Sequence, residues 1–223
     1  MTQKLQVSEI DFIELMERRT HENIDVSRAL LDDRLLLNSL EMVAKKTSEV
    51  MSAGGKVLLF GNGGSAAQAQ HIATELVGRY KRERRGLPAL ALTVDSACLT
   101  AVANDYSFDQ VFARQVEALG ARDDIVFAIS TSGNSPSVLH GIDAAKSRGM
   151  IAVGLTGRTG GNLKARVDHC IQVPSDDTPR IQEAHLLIGH TLCEYVEEVL
   201  TQAKRASDSF GAGPRNLTKR EDP

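Results

Sequence analysis

Five short runs in this chain consist almost entirely of Val, Ile, Leu and Ala: 56–61, 89–94, 124–130, 150–156 and 169–173. A strand with one wet face alternates apolar with polar residues, so unbroken runs predict strands covered on both faces. Between them lie helical patterns over 65–77, over 96–104 with 108–119, over 135–148, and in a short piece near Leu163. Strand and helix alternating in this way predict a parallel sheet with helices on both sides. The expected fold class is α/β: a three-layer, doubly wound, flavodoxin-like fold around a five-stranded parallel sheet.

Long helices are expected at both ends. From Val7 to Met51 helix formers dominate, and Ala29, Leu30, Leu35, Leu36, Leu40, Val43 and Val50 recur at amphipathic spacing. Ser52-Ala53-Gly54-Gly55 stops that helix, since glycine commonly follows a helix C-terminus. Thr178 to Ala203 reads as a final helix whose apolar side is Ile181, Leu186, Ile188, Leu192, Val196 and Leu200. Beyond Arg205 the chain is polar and contains Gly and Pro, the composition of a disordered tail. The expected organisation is one domain over 1–205, with an N-terminal helical segment over about 8–53 and a tail over 206–223. No internal repeat is visible.

Bulk properties exclude several roles. A net charge of −3 gives no basic field to recruit nucleic acid. No apolar run approaches the roughly 18 residues that span a bilayer. The first residues carry no secretory hydrophobic region, so a cytoplasmic protein is expected. Cys98, Cys170 and Cys193 form no close-spaced metal pair and read as reduced, buried thiols.

Two loops could carry chemistry. Gly61-Asn62-Gly63-Gly64-Ser65 joins a predicted strand to a helix, and glycines let backbone amides approach a ligand. It lacks the spaced glycines of a dinucleotide fold and the Lys of a Walker loop, and a plain tight turn explains it equally well. Ser130-Thr131-Ser132-Gly133-Asn134-Ser135 is the stronger signal. Its four hydroxyls cluster at a helix start, where free amides and the helix dipole favour an anion. A serine N-cap would need only one of them. In open α/β sheets ligands bind beyond the strand carboxyl ends, so two such loops there favour phosphate.

Titratable residues accompany the loops. His71 and Glu75 share one helix face, and at that spacing they can hold zinc or move protons. On the final helix Gln182, Glu183, His185 and His190 interrupt an apolar pattern. Gln182 and His190 stand about 12 Å apart along a helix axis, so spacing alone does not make them co-ligands. Arg79-Tyr80-Lys81-Arg82-Glu83-Arg84-Arg85 is a basic run that reads as a solvated loop or a phosphate contact. Asn104-Asp105 reads as a turn or a hydroxyl-binding pair.

Taken in order, GNGGS, HxxxELxGRY, AxANDYxF, ISTSGNS, LTGxxGG and RIQExHxxxxH resemble the sugar isomerase (SIS) domain proteins, and within them the phosphoheptose isomerases. The likeness runs from about Leu35 to Leu200. It implies an aldose–ketose isomerase converting sedoheptulose 7-phosphate to D-glycero-D-manno-heptose 7-phosphate through an enediol, at the start of bacterial heptose precursor synthesis, for lipopolysaccharide or another product. It implies one Zn2+ per subunit on His71, Glu75, Gln182 and His190, with Glu75 and His190 as the catalytic base and acid. It assigns Ser130, Thr131, Ser132 and Ser135 to the phosphate. Asn62, Gly63, Gly64, Ser65, Asn104, Asp105 and Gln182 then line the sugar, with Arg79 nearby. It also implies a homotetramer with active sites at subunit interfaces, acting on a small sugar phosphate and on neither nucleic acid nor membrane. One departure is Pro179, where some relatives carry an acid before the RIQ segment. Two rival roles on this fold are a replication-initiator-associating binding module and a sugar-phosphate sensor. Glu75 and His190, both present, favour the enzyme.

Overall fold

In the computed structural model, residues 11–211 are described, the last eight of them as backbone only. Five parallel strands form one sheet: β1 (Val57–Gly61), β2 (Ala89–Ala91), β3 (Ile125–Ile129), β4 (Ile151–Thr156) and β5 (His169–Gln172). Their order is β2-β1-β3-β4-β5. The chain therefore leaves β1 for one edge and crosses back to β3, and the switch point lies between those two strands. Val57 pairs with Ile125 and Gly61 with Ile129, so β1 and β3 end level with each other. Their following loops consequently emerge side by side, where α/β folds bind ligands.

Both faces of the sheet are covered at its centre, while the edge strands β2 and β5 are only partly buried and Leu90 is exposed. Val57, Leu59, Ile125, Phe127 and Ile129 pack on one side. Leu58, Phe60, Val126 and Ala128 pack on the other. Side chains alternate across a strand, so a two-sided core requires apolar residues at every position, and β1 and β3 are buried throughout. On the first side lie α1 (Phe12–Asp32), α2 (Arg34–Ser52), α3 (Gly64–Val77) and α7 (Thr178–Gly211). On the second lie α4 (Ser96–Asp105), α5 (Ala113–Leu119) and α6 (Pro136–Ser147). Short 3-10 turns follow α4, at Phe108–Gln110, and β4, at Gly161–Leu163.

The ends differ from the sequence expectation in two places. The N-terminal stretch is two helices, not one, because Asp33 leaves helical geometry (φ −84°, ψ 92°) and its carboxylate accepts from Leu36 N at 2.9 Å. An acceptor capping the next helix competes with continuation of the first. At the other end α7 runs on to Gly211, through the first residues read as tail. Ala206 to Phe210 hold no glycine or proline, and Gly211 is the first breaker. The rest of the tail, like residues 1–10, lies outside the described residues. No described helix is long and apolar enough to cross a membrane.

Candidate active site

The loop after β3 forms a cup. Ser130 Oγ lies 3.3 Å from Ser135 Oγ and accepts from Gly133 N at 3.2 Å. Ser132 Oγ accepts from Asn134 N at 3.2 Å. Among the described residues the amides of Thr131, Ser132 and Ser135 find no acceptor within the chain. Ser135 caps α6 without a side-chain bond, and Pro136, which has no N–H, opens the helix. Unpaired amides, hydroxyls and a helix start together make a neutral receptacle for an anion.

That cup is braced from β4. Gly157 N donates to Thr131 O at 2.9 Å, Leu163 N to Gly133 O at 2.9 Å, and Asn162 N to Asn134 Oδ1 at 2.9 Å. Gly133 has φ +64°, and a Cβ there would run into the Gly160 carbonyl. A glycine is required on both counts.

The loop after β1 meets the cup and the start of α7. Asn62 Nδ2 donates to Ser137 Oγ at 3.0 Å, tying the first loop to α6. Gly63 (φ +54°) turns the chain into α3, and Ser65 is buried beneath it. A Cβ on Gly64 would overlap the Gln182 carboxamide, so the two are in contact only because Gly64 has none. Beside them Gln68 Nε2 donates to Gln182 O, while Gln68 Oε1 is buried without a partner.

One turn further along α3 the titratable residues converge. His71 Nε2 lies 2.8 Å from His190 Nε2 and 3.5 Å from Glu75 Oε1. One ligand atom from each of the three falls within 4.8 Å of the others. Two imidazoles and a carboxylate match the donor set of a zinc site with an open position. The Gln182 carboxamide lies against Gly64, at the start of the same helix α3 that carries His71 and Glu75. The structure thus brings three of the four expected ligands, His71, Glu75 and His190, together; Gln182, the fourth, is carried on the same helix as His190, about two turns before it.

The remaining candidates are more peripheral. Arg79 is exposed and lies 3.8 Å from Glu83 in an ion pair. Asn104 and Asp105 end α4, exposed, and the Asn104 side chain donates to Asp105 at 2.9 Å; among the described residues none of their hydrogen bonds reaches either loop. His185 turns away from the site into the core. It is fully buried, and its Nε2 lies 3.1 Å from the Thr156 carbonyl, to which it donates. Burial pushes its pKa down to about 4, against the pull of that carbonyl. The cysteines are all free; Cys193 is buried, its thiol pushed up to about 12 by burial, while Cys98 and Cys170 are only half-buried.

Sequence reasoning passed over Ser137, which receives the Asn62 bond, and Tyr80, whose ring stacks on His190 at 5.6 Å between centroids. The signal for Ser137 was present, as the next hydroxyl after the serine-rich loop. Tyr80 closes the HxxxELxGRY segment, but nothing in that segment assigned its ring a role.

Residues 25–157 match the family model of the SIS domain. A phosphoheptose isomerase from Aneurinibacillus thermoaerophilus is 51% identical over 185 residues, which are 83% of this chain and 93% of that protein. The chain belongs to the phosphoheptose isomerase family. Solved structures agree with this placement. The phosphoheptose isomerase from Francisella tularensis superposes with a TM-score of 0.81 at 38% identity, covering 85% of this chain and all of that one. The enzyme from Neisseria gonorrhoeae gives 0.79 at 39%, covering 84% of this chain and all of its own. In this phosphoheptose isomerase family member, the serine cup sits at the sheet switch point and the His71–Glu75–His190 cluster lies further along the helix, α3, that leaves it.

Proposed function

We propose that this chain interconverts sedoheptulose 7-phosphate and D-glycero-D-manno-heptose 7-phosphate. The observation that carries the proposal is the convergence of His71, Glu75 and His190 on two packed helices, one of which, α3, starts from the loop tied by Asn62 to the helix that follows the hydroxyl-lined cup. Aldose–ketose isomerisation moves one proton between adjacent carbons and another between their oxygens, through a cis-enediol. It therefore needs a base, an acid and an anchor for the far end of the substrate.

Ser130, Thr131, Ser132 and Ser135 anchor the phosphate with their hydroxyls and the free amides of the same loop. With that end fixed, the carbonyl end is directed toward α3 and α7, and Asn62, Gly63, Gly64 and Ser65 line the path between. Glu75 takes the carbon-bound proton, exchanges it with solvent while it is held on the carboxyl, and delivers a proton to the neighbouring carbon. His190 donates to and accepts from the oxygens, and His71 Nε2 lies within hydrogen-bond reach of its Nε2. His71, Glu75, Gln182 and His190 would hold a zinc ion, which when bound supplies a Lewis acid at the carbonyl.

Exposed apolar side chains on α1 and α2, among them Phe12, Ile13, Met16, Leu31 and Leu35, support assembly into a homotetramer. The exposure of Asn104, Asp105 and Arg79 supports a site completed at a subunit interface in that assembly. Phosphorylated sugars are cytoplasmic metabolites, which supports a cytoplasmic enzyme.

Glu75→Gln tests the assignment. The variant is expected to lose at least about a hundredfold in kcat while inorganic phosphate still protects it against thermal unfolding. Turnover near the wild-type rate would remove Glu75 as the base.

A further inference from the structure

About two turns beyond His190, α7 carries a carboxylate that the isomerase chemistry does not use. Glu197 is 1% exposed. It accepts from three consecutive backbone amides, those of Tyr80 at 3.0 Å, Lys81 at 2.8 Å and Arg82 at 2.7 Å. Arg84 Nε forms an ion pair with it at 2.9 Å, almost as deeply buried. The Arg84 guanidinium also donates to the carbonyls of Glu75 and Leu76, both at 2.9 Å, so the last turn of α3 is held by the same pair. Burial opposes ionisation of Glu197, yet the three amides and Arg84 hold its pKa below the ordinary carboxylate value.

A loop that only needs closing does not require three successive amides on one buried charge. What this arrangement fixes is the backbone that carries Tyr80. The Tyr80 ring lies against the His190 imidazole, centroids 5.6 Å apart and planes 27° from parallel. His71 flanks the same imidazole at 5.0 Å and 67°. Lys81 Nζ, paired with Glu194 at 2.8 Å, sits 5.5 Å from the Tyr80 centroid. His190 therefore contacts two rings, and the segment that carries one of them, Tyr80, is seated by a buried carboxylate on the same helix as His190.

We propose that Tyr80 and Glu197 are positioning residues for His190: Glu197 clamps segment 80–82, and Tyr80, so placed, sets the orientation of the imidazole. The inference rests on the acid role given to His190 above. An imidazole turned out of line loses proton transfer while substrate affinity, set by the serine cup, is kept.

Tyr80→Leu removes the ring and leaves all three amides for Glu197. It is expected to lower kcat roughly five- to tenfold with KM within about twofold, and Tyr80→Phe, which keeps the ring, to restore kcat. Glu197→Gln is expected to lower kcat as well, and the double variant to be no slower than Tyr80→Leu alone, because both changes remove one seat. A separate readout needs no turnover. In the histidine proton–carbon spectrum of the metal-free protein, with the His190 signal assigned by His190→Asn, the ring-current shift from Tyr80 is lost in Tyr80→Leu. The signal moves the same way in Glu197→Gln. Should Glu197→Gln fail to fold, Glu197→Asp carries the same comparison. A wild-type protein without isomerase turnover would defeat the functional reading, and the spectrum alone would then decide the positioning. The proposal is overturned by an unmoved His190 signal, by unchanged kcat in Tyr80→Leu, or by losses that multiply in the double variant.

Discussion

Acidification should destabilise this protein through one core histidine. His185 is buried under the end of β4, donates Nε2–H to Thr156 O, and leaves Nδ1 buried without a partner. Protonating Nδ1 places a charge in the core where no protein acceptor meets it, and burial lowers its folded pKa from 6.5 to about 4. Above the unfolded value both states are neutral and the stability is fully present. As the pH drops below 6.5 the unfolded chain takes a proton that the folded one refuses, and stability falls. Each pH unit in that window costs about 1.4 kcal/mol, so the full span amounts to ~3 kcal/mol and levels off near pH 4. That is a large share of an ordinary domain's stability. Urea unfolding of wild type and His185→Leu, at fixed protein concentration between about pH 7.5 and about pH 4.5, isolates this contribution. Loss of the Thr156 bond offsets the variant by a constant, and the carboxylates common to both cancel. The gap between the two curves is expected to shift in favour of the variant as the pH falls. Parallel curves would refute the argument.

Other consequences follow from close contacts at the site. Gly133→Ala forces a left-handed residue and a Cβ into the Gly160 carbonyl, and should lower the melting temperature by more than about 4 °C in calorimetry, with weaker protection by inorganic phosphate. An unchanged melting temperature would contradict the packing of the two loops. Gly64→Ala pushes the Gln182 carboxamide aside with little backbone strain, and should weaken zinc retention by about tenfold in a chelator competition while leaving the circular dichroism spectrum intact. Equal retention would show that Gln182 is not a ligand.

The sheet was legible because a strand covered on both faces leaves no room for polar residues. Runs such as Val57 to Gly61 therefore declare themselves, and their order follows from the alternation with helices. The serine loop was legible too, since its hydroxyls are contiguous in sequence. The pairing of His71 with His190 was not derivable from spacing, because it depends on how α3 packs against α7 across more than a hundred residues. The resemblance to a family supplied it. Neither Tyr80 nor Glu197 was given a role that way: one closed the HxxxELxGRY segment inside a basic run that read as solvated loop, the other sat among apolar residues of a helix. Only packing reveals that the run's backbone, rather than its charges, is what the buried carboxylate holds. The break at Asp33 was within reach, since an aspartate before Arg34-Leu35-Leu36 is an ordinary cap.

The account stands on proton transfer through an enediol at the His71–Glu75–His190 cluster. Its most direct test is incubation of the purified protein with sedoheptulose 7-phosphate in deuterated water, with zinc present, followed by proton NMR. The account predicts that aldose heptose 7-phosphate signals grow in and that deuterium enters at its C2, both abolished in Glu75→Gln. Intact ketose with no deuterium uptake would contradict it.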